Sequence, residues 1–171
     1  MIASIKAKKF LLRPFKKTDS LYLSRNITKN VCDTISAFDF PFVLSDARHW
    51  VEESLKEQKK KKPIKIDWAI EINNETVGSV SLIIKDQKAE ISYWLSERFW
   101  GQGITSEAVK KVTDFGFKRL GFKRIYAEVF VNNQASIAVL RKLGYKQEGL
   151  LKNNNLKNSR LIDSYIFART K

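Results

Sequence analysis

The stretch Ser92-Tyr93-Trp94-Leu95-Ser96-Glu97-Arg98-Phe99-Trp100-Gly101-Gln102-Gly103-Ile104-Thr105-Ser106-Glu107-Ala108 decides how this chain is read. Its first part reads as the end of a buried strand. Two glycines two positions apart then make a turn. Ala108, Val109, Val112, Phe115 and Leu120 follow at helical spacing, which predicts a helix from about Thr105 to Arg119 with Gly121 as its stop. At such a junction the first backbone N–H groups of the helix lack partners, and the helix start adds roughly half a positive charge. Gly101 and Gly103 remove the Cβ atoms that would block a phosphate. Arg98 stands just before the turn, and Thr105 and Ser106 add hydroxyls. The reading is a cradle for a diphosphate. Taken alone, a Gly-x-Gly pair also serves plain tight turns. It is not a P-loop, because no Gly-Lys-Ser/Thr follows. It is not a dinucleotide fingerprint, because Ser106 stands where a third glycine is needed.

Working outward, Phe10 to Arg13 reads as a strand. Thr18, Asp19 and Ser20 are N-cap candidates for a helix through Leu21 and Leu23, and Ser45 and Asp46 for a second helix carrying Trp50, Val51 and Leu55. That helix ends in the run Lys59–Lys62, stopped by Pro63. Asp67–Ile72 alternates through Trp68, Ile70 and Ile72. Asn73-Asn74 turns the chain into Thr76–Ile84, and Asp86-Gln87 into Ala89–Leu95, giving a three-strand meander. After the helix come a strand, Arg124–Val131, a short helix from Asn133 to Leu143 closed by Gly144, and two last strands, Tyr145–Leu151 and Leu161–Ala168, around a polar loop, Lys152–Arg160. The expected fold is α/β: one domain over 1–171 with a mixed, mostly antiparallel sheet of about seven strands and helices on both faces. The helical crossover from the third meander strand to Arg124–Val131 implies one parallel pair.

Composition narrows the function classes. Lys plus Arg is 32 against 18 Asp plus Glu, a net charge of +14. Such a field attracts polyanions: RNA, DNA, acidic membrane or a polyphosphate cofactor. Equally, it follows from a lysine- and asparagine-rich composition. One cysteine, Cys32, excludes an intrachain disulfide framework, and one Cys with one His argues against a structural zinc site. A reducing, cytoplasmic compartment fits. No run approaches the ~18 apolar residues of a membrane span, and the lysine-rich start does not read as a secretory signal. Cys32 reads as a small buried residue and His49 as a helix-surface residue. Phe38, Phe40, Pro41 and Phe42 form an apolar loop ahead of the second helix.

Arg98-x-x-Gly101-x-Gly103 resembles the Gln/Arg-x-x-Gly-x-Gly/Ala signature of the GNAT N-acetyltransferase superfamily. The flanks resemble its ribosomal-protein N-terminal acetyltransferase branch: Tyr93–Leu95, Trp100–Gly103 and Ser106–Ala108 match a strand ending Tyr-Trp-Leu, then Trp-Gly-x-Gly, then Thr/Ser-Glu-Ala. Leu11–Phe15 with Asp19, Val77–Val80, Asn133–Ser136, Lys142–Tyr145, Glu148-Gly149, Asp163 and Tyr165 fit in the same order. The likeness thus spans nearly the whole chain.

The resemblance implies acetyl-CoA as cosubstrate, with no metal. The diphosphate would rest on the turn, with Arg98, Gly101, Gln102, Gly103, Ile104, Thr105 and Ser106. The pantetheine arm would pair with Trp94, Leu95 and Ser96 in a splay between the fourth and fifth strands, and Asn133 would touch it or serve as a helix N-cap. The acceptor would be a primary amine, of a peptide N-terminus such as a ribosomal protein's or of a small molecule. The apolar loop would wall its site, and the basic surface would suit ribosome or RNA contact. A monomer or homodimer is expected, with no membrane. An oxyanion needs an N–H, near Trp94 or Leu95. The acceptor ammonium, with a pKa of ~8 for an α-amine or ~10 for a lysine, needs a base. Glu90, on the face of Ser92 and Trp94, is the candidate. Many superfamily members place a tyrosine seven residues after the Asn. Here that position is Leu140, so Ser136 is the candidate acid, its alternative role being a helix cap. A non-catalytic RNA-binding module on the same scaffold is the rival reading.

Overall fold

A computed structural model describes residues 3–171, so the expected domain 1–171 extends two residues beyond what is described. The elements are β1 (Ile5–Lys6), β2 (Leu11–Arg13), α1 (Asp19–Asn26), α2 (Lys29–Asp33), α3 (Leu44–Lys59), β3 (Lys65–Ile72), β4 (Glu75–Lys85), β5 (Lys88–Leu95), α4 (Ile104–Lys118), β6 (Arg124–Phe130), α5 (Gln134–Lys142), β7 (Lys146–Lys157) and β8 (Arg160–Thr170). They make one 8-stranded sheet in the order β1-β2-β3-β4-β5-β6-β8-β7, antiparallel except at β5–β6. The α/β reading and its single parallel pair stand.

The sheet has one strand more than expected, because the two-residue β1 lies in a lysine-rich segment with no alternation to read. The expected loop Lys152–Arg160 is mostly strand: β7 runs to Lys157 and turns at Asn158-Ser159. Its polar residues hid it. As an edge strand β7 faces solvent along most of its length, and its register breaks between Leu151 and Asn155, where Asn153 has φ +51°. At α1, Thr18 makes no side-chain cap. At α3 the helix begins at Leu44, and Asp46 accepts a hydrogen bond from the Val43 N–H (2.9 Å).

Alternation along the strands gives the sheet two apolar faces. Leu12, Trp68, Val80, Leu82, Ile91, Ile125 and Phe167 meet α4 and α5 on one side. On the other, Ala69 and Trp94 meet Leu23 of α1, Val31 of α2 and Val51 of α3, together with Phe15 and Phe38. The single cysteine, Cys32, is fully buried there, and burial raises its thiol pKa. Beneath the second layer lies a buried ion pair: Asp19 accepts from Arg13 Nη1 (2.8 Å) and Nη2 (2.9 Å), and Glu71 from Arg13 Nε. Burial works against the Arg13 charge, but these hydrogen bonds outweigh it and raise its pKa.

Candidate active site

β5 and β6 share only three register pairs, Lys88 with Arg124, Ala89 with Ile125 and Glu90 with Tyr126. Past Glu90 they part, because β8 holds β6 along its length while β4 holds β5 up to Leu95. The gap opens a cavity of about 480 Å³. Ile91–Leu95 and Ala127–Phe130 form its floor. The loop Thr34–Ala37 and the start of α5 wall it, and Gly101 and Gly103–Ser106 stand at its mouth.

Antiparallel ladders bond alternate residues. The Ser96 N–H donates to the Val77 carbonyl (2.8 Å), so Trp94 shares its direction and Tyr93 and Leu95 turn their backbone groups into the gap. Of the two expected oxyanion positions, Leu95 is therefore the one whose N–H faces the cleft. Its carbonyl accepts from the Trp100 indole N–H (2.7 Å).

After β5 a single 3-10 turn, Glu97–Phe99, leads to Gly101 (φ +73°) and Gly103 (φ +77°), the latter being the N-cap of α4. Both angles lie in the left-handed region that glycine tolerates. A Cβ on either would meet nothing within 4 Å, so open space lies before the turn. The first helix-opening amide with a partner is that of Glu107, donating to the Gly103 carbonyl (3.1 Å). Among the described residues, the amides of Gly101 to Ser106 before it have none. Six consecutive orphan donors at a helix start fit an anionic diphosphate.

The structure brings Glu90, Trp94, Leu95, Gly101, Gly103, Ile104, Thr105, Ser106, Asn133 and Ser136 around one cleft. Ser96, Arg98 and Gln102 do not line it. Asn26 Oδ1 accepts from Ser96 Oγ (3.3 Å) and Arg98 Nη2 (3.2 Å), Arg98 also pairs with Glu75, and Gln102 Nε2 donates to the Arg98 carbonyl (3.1 Å). These three hold the turn from behind. Glu97 joins them, accepting from Asn30 (2.8 Å) and Thr28, and those bonds keep its carboxyl below the usual range.

Asn133 caps α5, its Oδ1 accepting from the Ser136 N–H (3.0 Å), and its Nδ2 donates to the Thr34 carbonyl (2.9 Å). Ser136 itself turns its hydroxyl to Tyr93 Oη, 2.7 Å away, whereas Leu140 is fully buried. Glu90 sits where the gap begins, accepting from Lys85 Nζ (3.1 Å) and Tyr126 Oη (3.3 Å). Hydrogen bonds to Tyr126 and Glu90 raise the Lys85 pKa. Trp94 packs edge-on to Phe38 with centroids 6.2 Å apart, and its buried indole N–H has no partner among the described residues.

Sequence reasoning missed the contributions of Thr34–Ala37, Tyr93, Glu128 and Asn155 to the cleft. It also missed Lys157, whose buried Nζ donates to the Phe38 carbonyl and to Asp39 (3.0 Å) and so ties the β7–β8 hairpin to the apolar loop. A lysine in a lysine-rich chain carries no signal of burial. Lys157→Met should cost only about 1–2 kcal/mol, because Asp39 stays in water. A thermal melt would read that loss.

A sheet splayed at its one parallel pair, with an anion-seeking turn at its mouth, defines a class. The chain belongs to the acetyltransferase (GNAT) domain family, whose model matches residues 9–146. One similar curated protein is the uncharacterized N-acetyltransferase p20 of Bacillus licheniformis, 41% identical over 101 residues, 57% of this chain and 57% of that one. Another is the uncharacterized N-acetyltransferase YoaA of Bacillus subtilis (strain 168), 35% identical over 111 residues, 62% of this chain and 63% of that one. The matched stretch thus spans less than two thirds of either relative. Among solved structures, a RimL ribosomal L7/L12 alpha-N-protein acetyltransferase in complex with coenzyme A is 26% identical, with a TM-score of 0.88, and the match covers 98% of each chain.

No helix among the described residues is long and apolar enough to cross a membrane, and no metal-ligating cluster occurs among them.

Proposed function

We propose that this chain is an N-acetyltransferase that moves the acetyl group of acetyl-CoA to a primary amine by direct attack within a ternary complex. The observation that carries the reading is the row of unpartnered amides from Gly101 to Ser106 at the mouth of the β5–β6 cleft. These amides hold the diphosphate, and the Tyr93 backbone and the Leu95 carbonyl pair with the pantetheine arm. The amine lone pair forms the C–N bond at the acetyl carbon. Negative charge then grows on the carbonyl oxygen, where the Leu95 N–H receives it. The C–S bond breaks with its electron pair left on sulfur. Glu90, directly or through water, takes the proton from nitrogen.

The acceptor we favour is a peptide N-terminal amine, such as a ribosomal protein's. The buried Trp94 N–H supports it: a peptide terminus offers a carbonyl next to its amine, whereas the protonated amines of a polyamine only donate. The net charge of +14 also repels polycations and favours anionic CoA. The protein works as one catalytic domain over 1–171 in the cytoplasm, with its basic surface available to RNA near such a substrate.

Calorimetry with acetyl-CoA, followed by CoA release from a panel of peptides and small amines, tests this. Micromolar acetyl-CoA binding and peptide-dependent release are expected. Release only with small amines would move the acceptor to that class. RNA binding without CoA binding would leave a non-catalytic module.

Glu90→Gln should depress kcat/KM most at low pH. There the free amine is scarce, and turnover depends on a base to strip the ammonium. A pH–rate profile parallel to that of the unmodified protein would remove Glu90 from the mechanism.

A further inference from the structure

Two hydroxyls from different walls meet inside the cleft. Tyr93 stands on β5, its ring packed against the α4–α5 side of the core, and Ser136 stands in the first turn of α5. Both line the cavity, and their oxygens are 2.7 Å apart. Neither hydroxyl has another side-chain partner among the described residues. Ser136 is fixed from behind as well, its N–H held by Asn133.

The geometry allows either oxygen to donate; the phenol is the more acidic hydroxyl and hence the better donor, which favours the arrangement with Tyr93 O–H on Ser136 Oγ. That leaves the Ser136 hydrogen free to turn into the cleft. Burial raises the Tyr93 pKa far above its ordinary value, and donating to Ser136 likewise favours the protonated phenol. The phenol therefore stays protonated and acts as a fixed dipole, not as an acid that gives up its proton.

We infer that Tyr93 is a positioning residue for acetyl transfer, orienting Ser136 so that the serine O–H donates a hydrogen bond to the departing CoA sulfur. The inference rests on the acetyl-transfer reading and deepens it. Atoms and charges balance without either hydroxyl losing a proton. The C–S electron pair stays on sulfur as a thiolate, the nitrogen proton goes to Glu90 or water, and the thiolate later takes a proton from solvent. A hydrogen bond to a charged partner is among the stronger kinds, so its loss is measurable.

The test compares Tyr93→Phe, Ser136→Ala and the double variant in steady-state kinetics. A second readout is the thiol pKa of bound CoA, followed by thiolate ultraviolet absorbance against pH. Tyr93→Phe should lower kcat about tenfold, leave CoA affinity within about twofold, and raise the bound thiol pKa by about one unit. The double variant should be no worse than Ser136→Ala alone, since Tyr93 acts only through Ser136. Ser136→Thr, which keeps the hydroxyl, should recover much of the loss. If Tyr93→Phe fails to fold, a ring-fluorinated tyrosine at position 93 replaces it. As a stronger donor of nearly the same shape, it should lower the thiol pKa.

An unchanged kcat and thiol pKa in Tyr93→Phe, or additive losses in the double variant, would overturn the inference. CoA binding and turnover by the unmodified protein beside an indifferent Tyr93→Phe sinks this inference alone. No CoA binding by the unmodified protein sinks the acetyl-transfer reading, and this inference with it.

Discussion

Replacing Gly103 by valine is expected to cut acetyl-CoA affinity about 100-fold or more while costing only about 1–2 kcal/mol of stability. The two effects have different origins. Stability falls because Gly103 has φ +77° at the N-cap of α4, a conformation that a β-branched residue enters with strain. It falls no further, because a Cβ there meets no protein atom within 4 Å. Affinity falls because that same open space is where the diphosphate must come to reach the amides of Gly101 to Ser106. Each charge-assisted amide bond lost is worth about 1.5–3 kcal/mol, so losing two gives the hundredfold or more. Gly121 supplies the control. Its φ is +74° and its Cβ would also meet nothing, yet it lies past the far end of α4, outside the cleft. Gly121→Val should show similar strain in a thermal melt and an unchanged dissociation constant by calorimetry. If Gly103→Val binds acetyl-CoA as the unmodified protein does, the turn holds no diphosphate.

The turn was legible in the sequence because its requirement is a backbone requirement. Paired glycines, then a helical period, announce free amides whatever the side chains nearby are doing. The meander was legible for a similar reason: Trp68, Ile70, Val80, Leu82 and Ile91 alternate because one face is core. What stayed hidden was set by tertiary contacts. Arg98 read as a phosphate ligand, since an arginine beside a glycine turn suits an anion. In the fold its guanidinium turns to Glu75 and Asn26, partners 23 and 72 residues away in sequence. Asn133 could read as a cofactor ligand or as a helix cap. Its carbonyl oxygen does cap α5, and its amide nitrogen reaches Thr34 across 99 residues. Tyr93 was visible as part of a motif, yet no local pattern could show that Ser136, 43 residues on, meets its hydroxyl. The polar second half of β7, from Lys152 on, hid because an edge strand needs no alternation, its ladder with β8 being a backbone matter.

Asp19→Ala should destabilise the protein by about 3–5 kcal/mol, the second large effect expected. Asp19 is 1% exposed, and its carboxylate accepts from both terminal nitrogens of Arg13, from Lys16 N–H (2.7 Å) and from Thr76 Oγ1 (2.9 Å). Alanine removes the acceptor these donors share and leaves Arg13, still bonded to the Pro14 carbonyl and Thr76 Oγ1, with only Glu71 as ionic partner in a buried site. Against a typical stability of about 5–15 kcal/mol, the loss should lower the melting temperature by about 10 °C or more. The pair itself is not the source of net stability, because desolvating two charges offsets most of their attraction. Replacing both at once, Arg13→Met with Asp19→Leu, should therefore cost less than the sum of the two single changes. Denaturant melts of all four proteins measure that coupling. The consequence also reaches the cleft. Thr76, which bonds Asp19 through its hydroxyl, accepts through its carbonyl from Asn26 Nδ2 (2.9 Å), and Asn26 in turn holds Ser96 and Arg98 behind the turn. Weakening at Asp19 should loosen that chain, so acetyl-CoA affinity should fall in Asp19→Ala below its melting range, and by less than in Gly103→Val. A stable, fully binding Asp19→Ala would show that the Arg13–Asp19 pair neither holds the fold nor steadies the turn.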